Sequence, residues 1–269
     1  MICPNSSKRI NYFSFLHNGN VKDVLIEIAC RFALWILFAI LERQEPFIRI
    51  IDEEELWMYK YPVVSSYVRA RYLWQFVIFV PAVVFLLEFI YYYHDEDMVE
   101  EIKNDIAALT LAYPISGIIT SALKVTVGRP RPNFFYRCFP DGFGTSLTSC
   151  TGSYSEYMDG RRSFPSGHAS FAFTSMVYLT LNLTRILNIR HTQNNKAVRL
   201  IFCVLPVFLA TLIAVSRTCD YHHHYSDAIA GALIGSSVAS FVYWAYNNYI
   251  MVEDPLSTKT ETNKYCHAK

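Results

Sequence analysis

Charge is what this 269-residue sequence has least of: 17% of its residues are Asp, Glu, Lys or Arg, against the roughly 25% usual in a soluble domain. With 52% hydrophobic and 16% aromatic residues, the shortage of charge excludes a disordered chain. The 10 Gly and 11 Pro are too few for a fibrous repeat. An excess of one sign is also missing, because 24 Lys and Arg stand against 23 Asp and Glu. A net charge of +1 gives no global basic field of the kind that binds nucleic acid, so recognition of any anion must be local. The first 22 residues carry Lys8, Arg9 and Lys22 but neither an apolar core nor a small-residue cleavage site. The first apolar segment is therefore expected to serve as its own signal anchor. Internal repeats and low-complexity stretches are absent.

What the chain has instead is apolar sequence gathered into runs of near-spanning length, roughly 20 residues each. Six are read: Val24 to Leu41, Tyr72 to Tyr93, Ile106 to Leu123, Ala169 to Thr184, Leu200 to Ser216 and Ala228 to Val252. The first carries Glu27 and Arg31 at i, i+4, where one neutralises the other on a single helix face. Pro81, Pro114 and Pro206 lie inside three runs, where membrane helices tolerate them. Tyr91 to Tyr93 and the group Trp244, Tyr246 and Tyr249 suit an interfacial belt. Gly231 and Gly235 form a small-xxx-small pair expected to pack within the bundle. The organisation is a polar segment 1–22, a membrane domain 23–252 and a polar tail 253–269. The fold class is all-α, a polytopic six-helix bundle.

Six spans alternate sides, so the end of helix three, the start of four, the end of five and the start of six share one membrane face. The unusual polar residues stand there: Lys124, Arg129 and Arg131; Ser166, Gly167 and His168; and Ser216-Arg217 through His222, His223 and His224 to Asp227. The 124–165 loop, with Gly142, Gly144, Gly152 and Gly160, is long enough to be functional. The 42–71 loop holds the acidic run Asp52 to Glu55 followed by Leu56, Trp57 and Met58, which reads either as a short amphipathic element on the membrane surface or as a solvated charge run.

Group by group, the chemistry is that of an anion site. Lys124, Arg131 and Arg217 supply fixed positive charge, and guanidinium forks match phosphate oxygens. Pro165-Ser166-Gly167-His168 reads as a helix start whose free N–H groups and positive dipole end receive an anion. His223 and Asp227 are i, i+4, so the carboxylate can accept from one ring nitrogen and leave the other as a nucleophile. His168 is then the natural general acid. Three adjacent histidines point in different directions, so His222 to His224 are not expected to share a metal. Taken singly, Lys124, Arg129, Arg131, Arg161 and Arg162 also fit ordinary snorkelling residues; it is convergence that favours the site.

Three stretches, Lys124-Val-Thr-Val-Gly-Arg-Pro-Arg-Pro132, Pro165-Ser-Gly-His168 and Ser216-Arg-Thr-Cys-Asp-Tyr-His-His-His-Tyr-Ser-Asp227, resemble the signature motifs of the type 2 phosphatidic acid phosphatase superfamily. Arg129 to Gly142 and Glu54 to Lys60 further resemble its subgroup related to diacylglycerol pyrophosphate phosphatase. The resemblance implies that Lys124, Arg131, Ser166, Gly167 and Arg217 bind phosphate, with His223 as nucleophile, His168 as acid and Asp227 as partner of His223. It implies a metal-independent, cofactor-free dephosphorylation of lipid phosphates at a lumenal or extracellular rim, in the endoplasmic reticulum or plasma membrane. His222 stands where that subgroup would have Lys, a departure bearing on substrate preference. Expected partners are the bilayer and its lipid phosphates, and a homo-oligomeric copy is a candidate. The competing reading is a catalytically silent scaffold of the same fold, which would lack a nucleophile or phosphate ligand; none is missing. A transporter would place its charges at the midplane.

Lys and Arg divide evenly between the two sides, but the 185–199 loop carries Arg185, Arg190, Lys196 and Arg199 with no acid. That favours it as cytoplasmic, with the site opposite. Of seven cysteines, Cys138 and Cys150 share the long loop and can bridge in an oxidising compartment, with Cys219 an alternative partner. The sequons at Asn5 and Asn182 fall on the cytoplasmic side or within a span and are not expected to be glycosylated.

Overall fold

The computed structural model of the chain describes residues 8–10, 21–144, 147, 149–189, 194–247 and 250–252. A two-stranded antiparallel ribbon, β1 (Lys8–Ile10) with β2 (Ile250–Val252), joins the segments flanking the bundle. Both flanks therefore meet at one end, as an even number of crossings requires. The helices are α1 (Val21–Arg43), α2 (Ala70–Tyr91), α3 (Glu96–Val127), α4 (Phe134–Cys138), α5 (Tyr154–Asp159), α6 (Gly167–Ile186), α7 (Lys196–Cys219) and α8 (Tyr225–Asn247). A 3₁₀ turn covers Glu53–Tyr59.

Six of these are long, and five, all but α6, are long and apolar enough to cross a membrane. Helix α6 is less apolar because its polar side chains turn inward: Ser170, Thr174, Ser175 and Asn182 are all buried. It occupies the middle of the bundle, packed on α2, α3, α7 and α8. Two boundaries differ from the hydropathy reading. Helix α3 starts ten residues earlier than Ile106 because Asp95 caps it, accepting from the Met98 N–H at 3.1 Å, and its acidic first turn suits the helix dipole. The last helix, expected to reach Val252, ends at Asn247, and Ile250–Val252 is strand. The tail 253–269, most of the 1–22 segment, Tyr249 and the sequon Asn5 lie outside the described residues.

Helix α8 crosses α6 at the two glycines singled out by spacing. A Cβ on Gly231 would stand 2.4 Å from the Ser166 carbonyl oxygen, and one on Gly235 would stand 2.2 Å from that of Ser170. Both are contacts within the bundle. Helices α2, α3 and α7 run through Pro81, Pro114 and Pro206. Arg31 pairs with Glu27 as the spacing foretold, and also donates to the Ala107 carbonyl at 3.0 Å and the Tyr246 hydroxyl at 3.3 Å, which holds α1 to α3 and α8.

The 128–166 loop folds into a cap with a core of its own, in which Phe134, Phe135, Cys138 and Phe139 pack with Tyr59 from the 3₁₀ turn. Of the acidic run and its apolar continuation, Glu53 to Glu55 face solvent while Leu56 and Met58 join this core. Cys138 and Cys150 are disulfide-bonded, and Cys219 is free. Asn182 is fully buried, donating to Glu88 at 2.8 Å.

Candidate active site

Four helix ends supply the site. Lys124 lies in the last turn of α3, which Gly128 closes in the left-handed conformation (φ 58°), its N–H donating to the Lys124 carbonyl at 3.2 Å. Only glycine fits there, because a Cβ would meet the Phe47 carbonyl at 1.8 Å. The turn sends Arg129 and Arg131 back toward the bundle. Ser166 caps α6, its Oγ accepting from the Ala169 N–H at 3.5 Å, and a Cβ on Gly167 would lie 3.3 Å from Lys124 Nζ. The absence of a side chain at 167 is what lets the ammonium approach the helix start. Arg217 ends α7, and His223 precedes Asp227 in the first turn of α8.

All eight predicted site residues come to this rim. His168 is within electrostatic range of Arg217, His223 and Lys124, and His223 within range of Arg131 and Lys124. The side chains of Arg217 and His223 are each only 4% exposed. The Nε atoms of Arg131 and Arg217 are buried without a partner. Buried donors are normally satisfied, so these two guanidinium groups keep unused donors at the rim, within electrostatic range of each other.

Burial draws the His223 imidazole down to about 4, with Arg131 and Lys124 adding to the effect and Asp227 opposing it. The ring is neutral at physiological pH. Its Nδ1–H donates to the Ser163 carbonyl at 2.7 Å, which fixes the tautomer and leaves the Nε2 lone pair free. This link differs from the sequence reading: Asp227 Oδ2 stands 3.8 Å from Nδ1, in electrostatic contact only. The carboxylate is filled instead by the Ser163 hydroxyl at 2.5 Å, Arg129 Nη1 at 2.6 Å and the His224 N–H at 3.0 Å. Asp227 therefore braces the segment that carries the His223 acceptor.

Burial likewise draws the Arg131 guanidinium down to about 10, against the pull of Asp159, leaving it charged at neutral pH. Asp159 holds Arg131 at 3.0 and 3.1 Å and Arg137 at 3.0 Å. Glu42 faces Lys124 at 3.8 Å and Arg162 at 3.2 Å. Asp220 accepts from Arg217 at 2.6 Å. Although burial opposes it, the His222 hydrogen bonds and the Arg217 charge hold the Asp220 carboxyl below its usual range. His168 Nε2 donates to the Val68 carbonyl at 3.0 Å.

Sequence reasoning missed Asp159, Glu42, Ser163, Asp220 and the 60–69 segment. The parity argument could have found Glu42, an acid at the end of helix one on the same face, and the i, i+3 spacing could have found Asp220. Arg129 and Arg162, compatible with snorkelling when taken singly, are paired with Asp227 and Glu42. Arg161 stacks on Phe134 at 4.6 Å. The three histidines turn to separate partners: His222 to Asp220 and Ser66, His223 to Ser163, His224 to Pro130.

Helices of spanning length that gather buried cations and a neutral histidine at one rim define an integral membrane protein with a cationic site. The chain belongs to the PAP2 superfamily, whose pattern it matches over residues 105–251. It is 37% identical over 204 residues to lipid phosphate phosphatase 2 of Arabidopsis thaliana, covering 74% of this chain and 69% of that protein. It is 34% identical to lipid phosphate phosphatase 1 of the same plant, covering 78% of this chain and 66% of that protein. Against diacylglycerol pyrophosphate phosphatase 1 of Saccharomyces cerevisiae the identity is 34%, covering 58% and 55% respectively. No solved structure matches.

Proposed function

We propose that the protein is a metal-independent lipid phosphatase acting through a phosphohistidine. The observation that carries this reading is the neutral His223, its Nδ1–H bound to the Ser163 carbonyl, set among Lys124, Arg131 and Arg217. His223 Nε2 attacks phosphorus, forming an N–P bond as the P–O bond to the lipid breaks. His168, protonated as the phosphate dianion binds beside it, gives that proton to the leaving oxygen. Water then attacks the phosphohistidine and yields a proton to His168, and the N–P bond breaks to release orthophosphate. The three cations and the α6 N–H groups at Ser166 and Gly167 stabilise the charge that grows in both transition states.

Phosphatidate, diacylglycerol pyrophosphate and lysophosphatidate are the substrates this reading proposes, the second in line with the name of the Saccharomyces cerevisiae relative. The Cys138–Cys150 bond and the basic 185–199 loop support a site on the lumenal or extracellular face, in the endoplasmic reticulum or plasma membrane. The test is orthophosphate release from phosphatidate or diacylglycerol pyrophosphate micelles in excess chelator. Activity is expected in the wild type and a loss of at least about a thousandfold in His223→Ala and His168→Ala. Undiminished turnover in His223→Ala overturns the mechanism.

A further inference from the structure

Arg217 is oriented by two acceptors on one nitrogen. Nη1 donates to Asp220 Oδ2 at 2.6 Å and to the Val68 carbonyl at 3.1 Å. The same Val68 oxygen accepts from His168 Nε2 at 3.0 Å. One backbone oxygen thus occupies donors of both an arginine and a histidine of the site, the position a phosphate oxygen would take. The segment that carries it is fixed at two further points. The Tyr61 N–H donates to the Pro132 carbonyl at 3.1 Å while its ring stacks on Tyr221 at 4.8 Å, and Ser66 Oγ meets His222 Nε2 at 3.3 Å. Between these anchors Val63 and Val64 are exposed, as is Tyr67 just beyond them.

His222 is the joint of this arrangement. Its Nδ1 lies 2.9 Å from the Asp220 carbonyl oxygen and 3.0 Å from Asp220 Oδ1. Both are acceptors only, so Nδ1 carries the hydrogen, and in the neutral ring Nε2 accepts from the Ser66 hydroxyl. Asp220 is fully buried, so His222 and Arg217 are the side chains that fix its two oxygens. The chain of contacts runs from Ser66 through His222 and Asp220 to Arg217. A lysine at position 222 could donate to Asp220 but has no acceptor for a hydroxyl hydrogen; histidine does both.

We infer that His222 is a positioning residue with two separable tasks, holding Arg217 in its phosphate-binding orientation through Asp220 and latching the 60–69 segment over the site through Ser66. The inference rests on the assignment of Arg217 to phosphate in the proposed function. A phosphate that engages Arg217 and His168 displaces the Val68 carbonyl, and the Ser66–His222 bond resists that displacement. The Asp220 side strengthens the grip on phosphate, whereas the Ser66 side slows access to it.

Side-chain amides separate the two tasks. His222→Asn keeps an N–H close to the Nδ1 position and loses the reach to Ser66. His222→Gln reaches the Nε2 position and loses the donor to Asp220. The full chain in detergent is titrated with inorganic orthophosphate by ³¹P NMR, and kcat and KM are measured on short-chain phosphatidate micelles, with melting temperature recorded for each variant. His222→Gln is expected to weaken orthophosphate binding about fivefold or more, as befits loss of a hydrogen bond within a charged network, with KM rising more than kcat falls. His222→Asn and the independent variant Ser66→Ala are expected to leave orthophosphate affinity within about twofold and to raise kcat/KM by a few-fold. Equal orthophosphate affinity in wild type and His222→Gln, or a fall in kcat/KM in Ser66→Ala, overturns the inference. A wild-type protein that neither binds orthophosphate nor releases it from lipid overturns the phosphatase reading itself, which separates the two failures.

Discussion

At the scale of single residues, the acid–base behaviour of the site hangs on His223. Its ring is neutral above about pH 4 because burial and the surrounding cations disfavour the charged form. If Nε2 is the nucleophile, kcat/KM rises through about pH 4 and shows no His223 step near 6.5, where an unperturbed histidine would titrate. The same shift bears on stability. In the unfolded chain the ring takes up a proton near 6.5, so between about 6.5 and 4 the unfolded state binds more protons, and stability falls as pH drops through that window. A kcat/KM profile from pH 3.5 to 8 checks the first expectation, and melting temperature against pH the second. A His223 ring that titrates near 6.5 rather than about 4, followed directly by NMR, would contradict its burial. That His223 and Asp227 stand side by side at one rim was legible in the sequence, because i, i+4 spacing and span parity encode it. The detail that Ser163 and not Asp227 accepts from Nδ1 depends on a backbone carbonyl, which every residue has and no motif marks.

Among the elements, α6 and α8 decide whether the site exists, since one carries Ser166, Gly167 and His168 and the other carries Asp227 with His223 just before it. Their close approach at Gly231 and Gly235 sets the distance between the two histidines. Gly235→Val places side-chain atoms where a Cβ alone would be 2.2 Å from the Ser170 carbonyl oxygen and 2.8 Å from the Thr174 nitrogen. Both are backbone atoms of α6 and cannot rotate away. We expect α8 to be pushed off, at a cost of about 3 kcal/mol or more. Phosphatase activity should fall at least tenfold with a lowered melting temperature, whereas Ser237→Ala on the exposed face of α8 leaves both unchanged. The glycine pair was readable from spacing, and so were the six apolar runs. The ends of α3 and α8 were not, because hydropathy reports where a helix is apolar and not where it is helical. Asp95 extends α3 by capping chemistry, and the chain past Asn247 turns to strand by pairing with Lys8–Ile10, a partner more than two hundred residues away in sequence.

For the molecule as a whole, near-neutrality conceals a separation of charge. The cations Lys124, Arg131, Arg137, Arg162 and Arg217 crowd one rim with Asp159, Glu42 and Asp220 as counter-ions, while Arg185, Glu101 and Asp105 form a network between α6 and α3. Parity of the spans predicts which rim each group joins but not which membrane face that rim is, and the even spread of Lys and Arg cannot decide it. The Cys138–Cys150 bond offers an independent handle, because the cap that carries it belongs to the same rim as Arg131. Disulfides persist in the lumen and outside the cell, whereas cytosolic thiols are kept reduced. If the site faces the lumen or exterior, protein denatured straight from membranes under acid quench should react with maleimide-linked polyethylene glycol at two more thiols per chain after reduction than before it. The Cys138→Ser/Cys150→Ser pair should abolish the difference and destabilise the cap by the roughly 2–4 kcal/mol that a short closed loop contributes, read as a lowered melting temperature. A fully reactive thiol complement without reductant would instead place the cap, and with it the pocket, on the reducing side. In that case lipid phosphates of the cytoplasmic leaflet would be the substrates within reach.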